Sequence, residues 1–369
     1  MLPAPLSSRA LSRALLARQL LAERAPMTVP AAVEHLVGLQ AQAPTPPYFG
    51  LWSRVAGFDP EELSALLEQR RMVRTTAMRG TVHLLSDRDA VQLCPLTRIA
   101  LERSFASGHG KRLGGADPWA VAATARELIE ERPRTAAELG PLLHAYWPEA
   151  QERSLAMAAR ALLDLVQLPP RGLWGRSGQP LFALAESWLG RPLAKEPCVE
   201  TMVLRYLGAF GPASVRDAQM WSGLTRLGEV VARLRPQLRV FTDEAGTELY
   251  DLPDAPRPDP ELPLPARFLA EYDNAILSHA DRSRLMDDQV RRALVSRNGQ
   301  VPGTFLLDGR VRGTWRAETR RKAATLTLTS FGALSGGERD ALEKEGHALL
   351  AFATDGAPGP HSVAFTTAA

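Results

Sequence analysis

Apolar positions repeat with a helical period over most of the chain and alternate like strands only in short bursts. The two patterns recur in a fixed order: helix, turn, helix, helix, short hairpin. The first run predicts helices over Leu11 to Glu23, Val29 to Gln40 and Pro60 to Arg71. The last of these opens on Asp59-Pro60-Glu61-Glu62, with proline at the first position and acids against the helix dipole. Its hairpin spans Met72 to Leu85, where Val73, Thr75 and Ala77 alternate with arginine and threonine and Gly80 marks the bend.

The second run predicts helices over Trp119 to Glu131 and Ser154 to Val166, with a capping box at Thr135 and Glu138 opening the helix between them. Its hairpin is glycine-rich, from Arg171 to Gly178, and carries Arg171 and Arg176 near its tip. The third run has helices over Val199 to Phe210, Val215 to Trp221 (capped from Ser214) and Leu227 to Arg235, then a hairpin from Val240 to Tyr250 turning at Ala245-Gly246. Helix-turn-helix followed by a hairpin is the winged-helix pattern, commonly a reader of duplex DNA and in other proteins a protein-protein module. A proline-rich linker, Leu252 to Pro265, leads to a more β-like region, and Ala353 to Ala369 reads as a frayed tail. The expected fold is therefore α+β, mainly α. It has three tandem winged-helix modules (1–88, 89–195, 196–256) and a C-terminal region, 257–369, that contains a β-hairpin.

In that last region Asp308-Gly309 favours a type I′ turn. The strand after it places Arg310, Arg312, Thr314 and Arg316 on one face and Val311, Gly313 and Trp315 on the other. A cationic tip follows at Arg320-Arg321-Lys322, and the return strand alternates Thr325, Thr327 and Thr329 against Leu326 and Leu328. A rigid ribbon with one cationic face suits contact with phosphates or entry into a groove. A solvated edge charged against aggregation would read the same way.

Gln40-Ala41-Gln42 interrupts the first run. Val29, Val33, Leu36, Val37 and Gln40 form one helical stripe, so Gln40 stands where an aliphatic is expected. Pro44, Pro46 and Pro47 follow and oppose further helix. In extended backbone the two glutamines fall on one side, and two neutral amides converge. Two solvated glutamines at a helix end are the plainer alternative.

The chain has 369 residues, 45% of them hydrophobic and 23% charged, as in a folded protein of several modules. Lysine occurs only at 111, 195, 322 and 344, which leaves 40 arginines among 44 basic residues. Guanidinium suits bidentate phosphate contacts, although a GC-rich genome produces the same bias. Cys94 and Cys198 stand apart with no His or Cys near them, which argues against a structural zinc and excludes a disulfide framework. No apolar run reaches the length of a membrane span, and Met1 to Arg9 lacks the apolar stretch of a secretion signal. The expectation is a cytoplasmic monomer with no membrane association. No phosphate loop, zinc motif or Ser-His-Asp arrangement is visible, and neither a metal nor a cofactor is expected.

Several segments together resemble the winged-helix DNA glycosylases of the AlkZ/YcaQ type, which unhook interstrand crosslinks. They are Leu39-Gln40-Ala41-Gln42-Ala43-Pro44, Tyr48 to Arg54, Arg79-Gly80-Thr81-Val82-His83-Leu84, Tyr272-Asp273-Asn274 through Arg282, and Gly313-Thr314-Trp315-Arg316. The Gln-apolar-Gln element is similar to the AlkZ branch; the YcaQ branch ends that element in Asp. The resemblance implies three winged helices around a basic concave cleft. It further implies that Gln40 and Gln42 are the catalytic pair, that a β-hairpin matched to the Gly313–Thr329 ribbon contacts DNA, and that the substrate is N7-alkylated guanine in duplex DNA.

The chemistry is coherent apart from the resemblance. N7-alkylated guanine already carries positive charge and leaves without an acid, so placing a water at C1′ is the main task. A glutamine carbonyl can accept a hydrogen bond from that water and set a partial negative charge near the developing cation. Arg79, Arg171, Arg176, Arg310, Arg312, Arg316, Arg320, Arg321 and Lys322 are expected to bind DNA. Asp273, Asn274 and His279 either line the cleft or pin loops, and His83 and His279 read as structural histidines. Two other function classes fit the pattern: a non-enzymatic winged-helix regulator, and a resistance protein that sequesters a genotoxin.

Overall fold

Helices begin where short polar side chains can cap them. Ser7, Thr28, Asp59, Ser86, Asp117, Thr135, Ser214 and Ser335 each accept a backbone N–H from the first turn of the helix they precede. The structure, a computed structural model, describes residues 4–294, 299–320 and 323–368. Its strands are β1 (Leu39–Gln40), β2 (Met72–Thr76), β3 (Val82–Ser86), β4 (Arg134–Thr135), β5 (Leu165–Gln167), β6 (Leu181–Leu184), β7 (Arg239–Thr242), β8 (Glu248–Asp251), β9 (Arg267–Leu269), β10 (Thr304–Leu307), β11 (Arg310–Arg320), β12 (Ala323–Ser330) and β13 (His361–Thr367). The architecture is α+β with helix predominant.

The hairpins of the first two runs do not stand apart. They join in one six-stranded sheet of order β1-β3-β2-β5-β6-β4. The helix Asp87–Gly108, which the sequence reading leaves unassigned, runs across the boundary at 88/89. β7 and β8 form a separate two-stranded ribbon. The C-terminal sheet has the order β13-β12-β11-β10-β9, with β13 parallel to β12.

The supposed frayed tail is therefore a strand. Helix Gly336–Ala353 supplies the crossover, opened by a capping box at Ser335 and Glu338. Thr325 and Ser362 hydroxyls meet at 3.2 Å, and Thr329 and Thr366 at 2.9 Å, fixing the register. Elsewhere the expected alternation holds: Val311, Gly313, Leu326 and Leu328 are buried while Arg316 is exposed. Asp308 and Gly309 have φ of 42° and 75°, both positive as a type I′ turn requires. Among the described residues no helix is long and apolar enough to cross a membrane.

Candidate functional site

The helix that leads to the glutamines is Val29–His35, shorter than its apolar stripe suggests. Val37 and Gly38 take φ of 54° and 89° and turn the chain out of the helix before Gln40. A side chain at 38 would run into Leu85, so the sharp turn needs glycine there. The prolines thus act downstream of a break already made. Gln40 lies in β1, opposite His83 of β3, and Ala41 N–H continues the ladder to the Val82 carbonyl at 2.7 Å. The extended geometry expected of the pair holds at Gln40 and Ala41, and Gln42 falls in the bend that follows.

Both side chains turn to the bend between β2 and β3. Gln40 Oε1 accepts from Arg79 Nη2 at 2.8 Å, and Arg79 Nη1 donates to the Trp221 carbonyl at 3.0 Å. Gln42 Oε1 accepts the Val82 backbone N–H at 3.2 Å. Those donors fix each amide's orientation, since an NH2 group in that place would oppose another donor. Gln40 is 7% exposed, whereas Gln42 is exposed. Each carbonyl oxygen keeps a second lone pair, and no carboxylate bonds to either glutamine among the described residues.

The backbone around the pair is held from outside. Asn274 Nδ2 donates to the Gly38 carbonyl at 2.7 Å, and Arg74 Nη2 donates to the Ala41 carbonyl at 2.8 Å. Arg74 is 2% exposed, and neither its Nε nor its Nη1 has a hydrogen-bond partner. Burial, then the nearby Arg171, lowers its pKa to about 10. Burial and Arg282 bring Arg79 down to about 10 as well. Even so, both guanidiniums stay charged near neutral pH and give the site a positive bias. His83 is fully buried and faces the Thr81 carbonyl through Nδ1 at 3.0 Å. Burial, with Arg79 beside it, depresses its pKa to about 3, so the ring is neutral.

The remaining sequence candidates scatter. Arg79, expected on phosphate, spends its terminal nitrogens on Gln40 and Trp221. Arg171 donates to the Gly178 carbonyl at 2.8 Å, and Arg176 is exposed on the same loop. Arg310 donates to the Ser283 carbonyl at 2.7 Å, and Arg312 pairs with Glu338 at 3.0 Å, so both fold onto neighbouring segments. Among the described side chains Arg316 is the arginine that projects from that face, 80% exposed with Glu318 at 3.3 Å. Arg321, Lys322 and the Arg320 side chain lie outside the described residues.

Asp273, Asn274 and His279 are 5%, 1% and 2% exposed, so they do not line an open cleft. Asp273 grips Arg54 through both oxygens, at 2.7 and 2.9 Å, and His279 Nε2 meets the Phe210 carbonyl at 3.0 Å. Of the three, Asn274 alone touches the glutamine strand. Sequence reasoning missed Arg74: alternation puts it on the opposite face of β2 from Thr75, yet β2 lies inside the sheet and that face is covered too. No group of His, Cys, Asp and Glu able to hold a metal occurs among the described residues.

Known proteins share this fold. The solved structure of Streptomyces sahachiroi DNA glycosylase AlkZ superposes with a TM-score of 0.79 at 23% identity, covering 97% of this chain and 100% of that one. The interstrand DNA cross-link repair glycosylase of Streptomyces sahachiroi is 26% identical over 326 residues, 81% of this chain and 84% of its relative. The family described as DNA glycosylase AlkZ-like matches residues 33–352, a span that includes both glutamines and the C-terminal ribbon. This chain therefore belongs to the AlkZ-like DNA glycosylases, enzymes that hydrolyse N-glycosyl bonds in DNA.

Proposed function

We propose that this glycosylase is monofunctional and releases N7-alkylated purines, interstrand crosslinks included, from duplex DNA, with Gln40 and Gln42 as its catalytic pair. The observation that carries the reading is the fixed orientation of two neutral amides with no carboxylate bonded to them. Each oxygen has one lone pair taken by an N–H and one left to orient a water. An amide is too weak a base to generate hydroxide, so this machinery serves only a leaving group that departs unaided. A base already cationic at N7 is such a group, and it leaves neutral. The relative's name, which specifies cross-link repair, supports the same class. Positioning and preorganised dipoles then supply the rate, a few kcal/mol from each amide. We further read residues 1–88, 89–195 and 196–256 as winged helices around a basic cleft, acting as a cytoplasmic monomer.

The test is base release from a 7-methylguanine duplex and from a defined crosslink, scored as alkali-labile sites. Gln40→Ala and Gln42→Ala should each lower release about 100-fold or more while duplex affinity stays within a few-fold. Full activity in both variants would remove the assignment. Because Gln42 is exposed, its variant should fold normally. Gln40→Ala strands an Arg79 N–H and should lose roughly 1–3 kcal/mol of stability.

A further inference from the structure

A cavity of about 290 Å³ opens one residue beyond Gln42, between the glutamine strand and the C-terminal ribbon. Four larger hollows, of about 730, 820, 380 and 350 Å³, are lined by neither the glutamines nor their neighbours. Ala43, Pro46 and Phe49 form one wall, and Trp315 and Ala317 of β11 form the other. The floor is rigid. Phe49 and Trp315 rings lie 5.5 Å apart, and Trp315 Nε1–H donates to the Leu269 carbonyl at 2.8 Å. Gly303 lies flat against that indole, where a Cβ would stand 2.6 Å from the ring.

The rim is polar and asymmetric. Glu271 is its one carboxylate and Arg316 its one cation. Glu271 is exposed and has no hydrogen-bond or ion-pair partner among the described residues. The next residue, Tyr272, holds φ at 58°, a strained value for a bulky side chain, with its N–H on the Val301 carbonyl at 3.1 Å. The backbone that presents Glu271 is thus held in a costly conformation at the mouth of the cavity.

We infer that this cavity receives the N7 substituent of the damaged guanine, with Glu271 facing the cationic imidazolium edge. The inference rests on the reading given under Proposed function. In a purine, N7 and the nitrogen whose bond breaks belong to the same five-membered ring. With C1′ held at the glutamines, the substituent therefore projects only a few ångström further. Ala43 directly follows Gln42, so their Cα atoms are about 3.8 Å apart. An N7-alkylated nucleotide carries a positive base and a negative phosphate, matching Glu271 at one end of the rim and exposed Arg316 at the other. The aromatic floor takes an apolar or aromatic substituent, and the open mouth leaves room for a tether to the opposite strand.

The experiment compares single-turnover release of 7-methylguanine with release of guanine carrying a large aromatic N7 substituent, in duplexes of one sequence. Ala43→Leu narrows the cavity and should lower the bulky-to-methyl rate ratio at least about 10-fold. Ala317→Leu narrows it from the opposite wall and should do the same, which guards against misfolding of the first variant; melting curves accompany both. Glu271→Gln should lower the preference for adduct-bearing over undamaged duplex in binding, because the base is cationic before release and leaves neutral, while affinity for undamaged duplex holds or tightens as an acid is removed. An unchanged ratio in both narrowing variants, or an unchanged binding preference in Glu271→Gln, overturns the inference. Wild-type protein that releases neither base would instead overturn the proposed substrate class, so the two failures are distinguishable.

Discussion

A buried guanidinium with no carboxylate is an expensive residue to keep. Arg74 is 2% exposed and has one hydrogen bond, to the carbonyl between the two glutamines. Its pKa, lowered to about 10, corresponds to roughly 3 kcal/mol of lost ionisation free energy. Replacing such a group with an apolar side chain of similar reach is often neutral or stabilising. Retaining it makes sense if it serves as a positioning residue for the Ala41 peptide. Arg74→Met should therefore melt at the same temperature or higher, bind duplex within a few-fold, and release base about 10-fold more slowly. An unchanged release rate would show that the Ala41 carbonyl needs no anchor. The prolines made an extended stretch at the glutamines legible in the sequence, whereas the helical stripe through Gln40 hid the earlier break at Val37 and Gly38. The burial of Arg74 was not legible, because it depends on Gln167 of β5, its partner across the sheet and remote in sequence.

Turn chemistry made individual elements readable. Asp308-Gly309 announced its turn, Thr135 and Ser214 announced their helices, and Val199–Phe210 was placed to the residue. Elements lacking a local stop signal were misjudged. β13 has modest apolar alternation, through Val363 and Phe365, and becomes a strand only because β12 offers it a parallel edge. The same ribbon carries the element-scale prediction. Arg310 and Arg312 are occupied by Ser283 and Glu338, so we propose that contact with DNA falls to Arg316 together with Arg320, Arg321 and Lys322. Neutralising Arg316, Arg320, Arg321 and Lys322 together should weaken duplex binding. The slope of log affinity against log salt should become shallower by about 0.9 for each phosphate that the variant no longer neutralises. Neutralising Arg310 and Arg312 should leave that slope unaltered; the reverse outcome would mean that the ribbon meets DNA through its base, not its tip.

At the scale of the molecule, paired charges join segments that the sequence presents as separate runs. Arg18 and Asp251, both fully buried, are 2.6 Å apart; Arg54 and Asp273 join at 2.7 Å, and Arg205 and Asp89 at 2.5 Å. The runs were readable because each is local, and their stitching was not, because every one of these pairs spans distant residues. Neutral histidines are buried in the same framework, which ties its stability to pH. His83 has a folded-state pKa near 3 against about 6.5 when unfolded, and burial depresses His279 in the same direction. A depressed value means that the unfolded chain takes up the proton first. The stabilisation is complete above pH 6.5 and drains away as pH falls toward the folded value. His83 alone should cost about 2 kcal/mol by pH 5, before most carboxylates titrate. Melting temperature should accordingly fall between pH 6.5 and 5. His83→Asn retains a donor for the Thr81 carbonyl but cannot titrate, so it should flatten a substantial part of that fall. An equally steep decline in the variant would mean that His83 is already protonated in the folded protein, and that the positive bias beside Gln40 is larger than Arg74 and Arg79 provide.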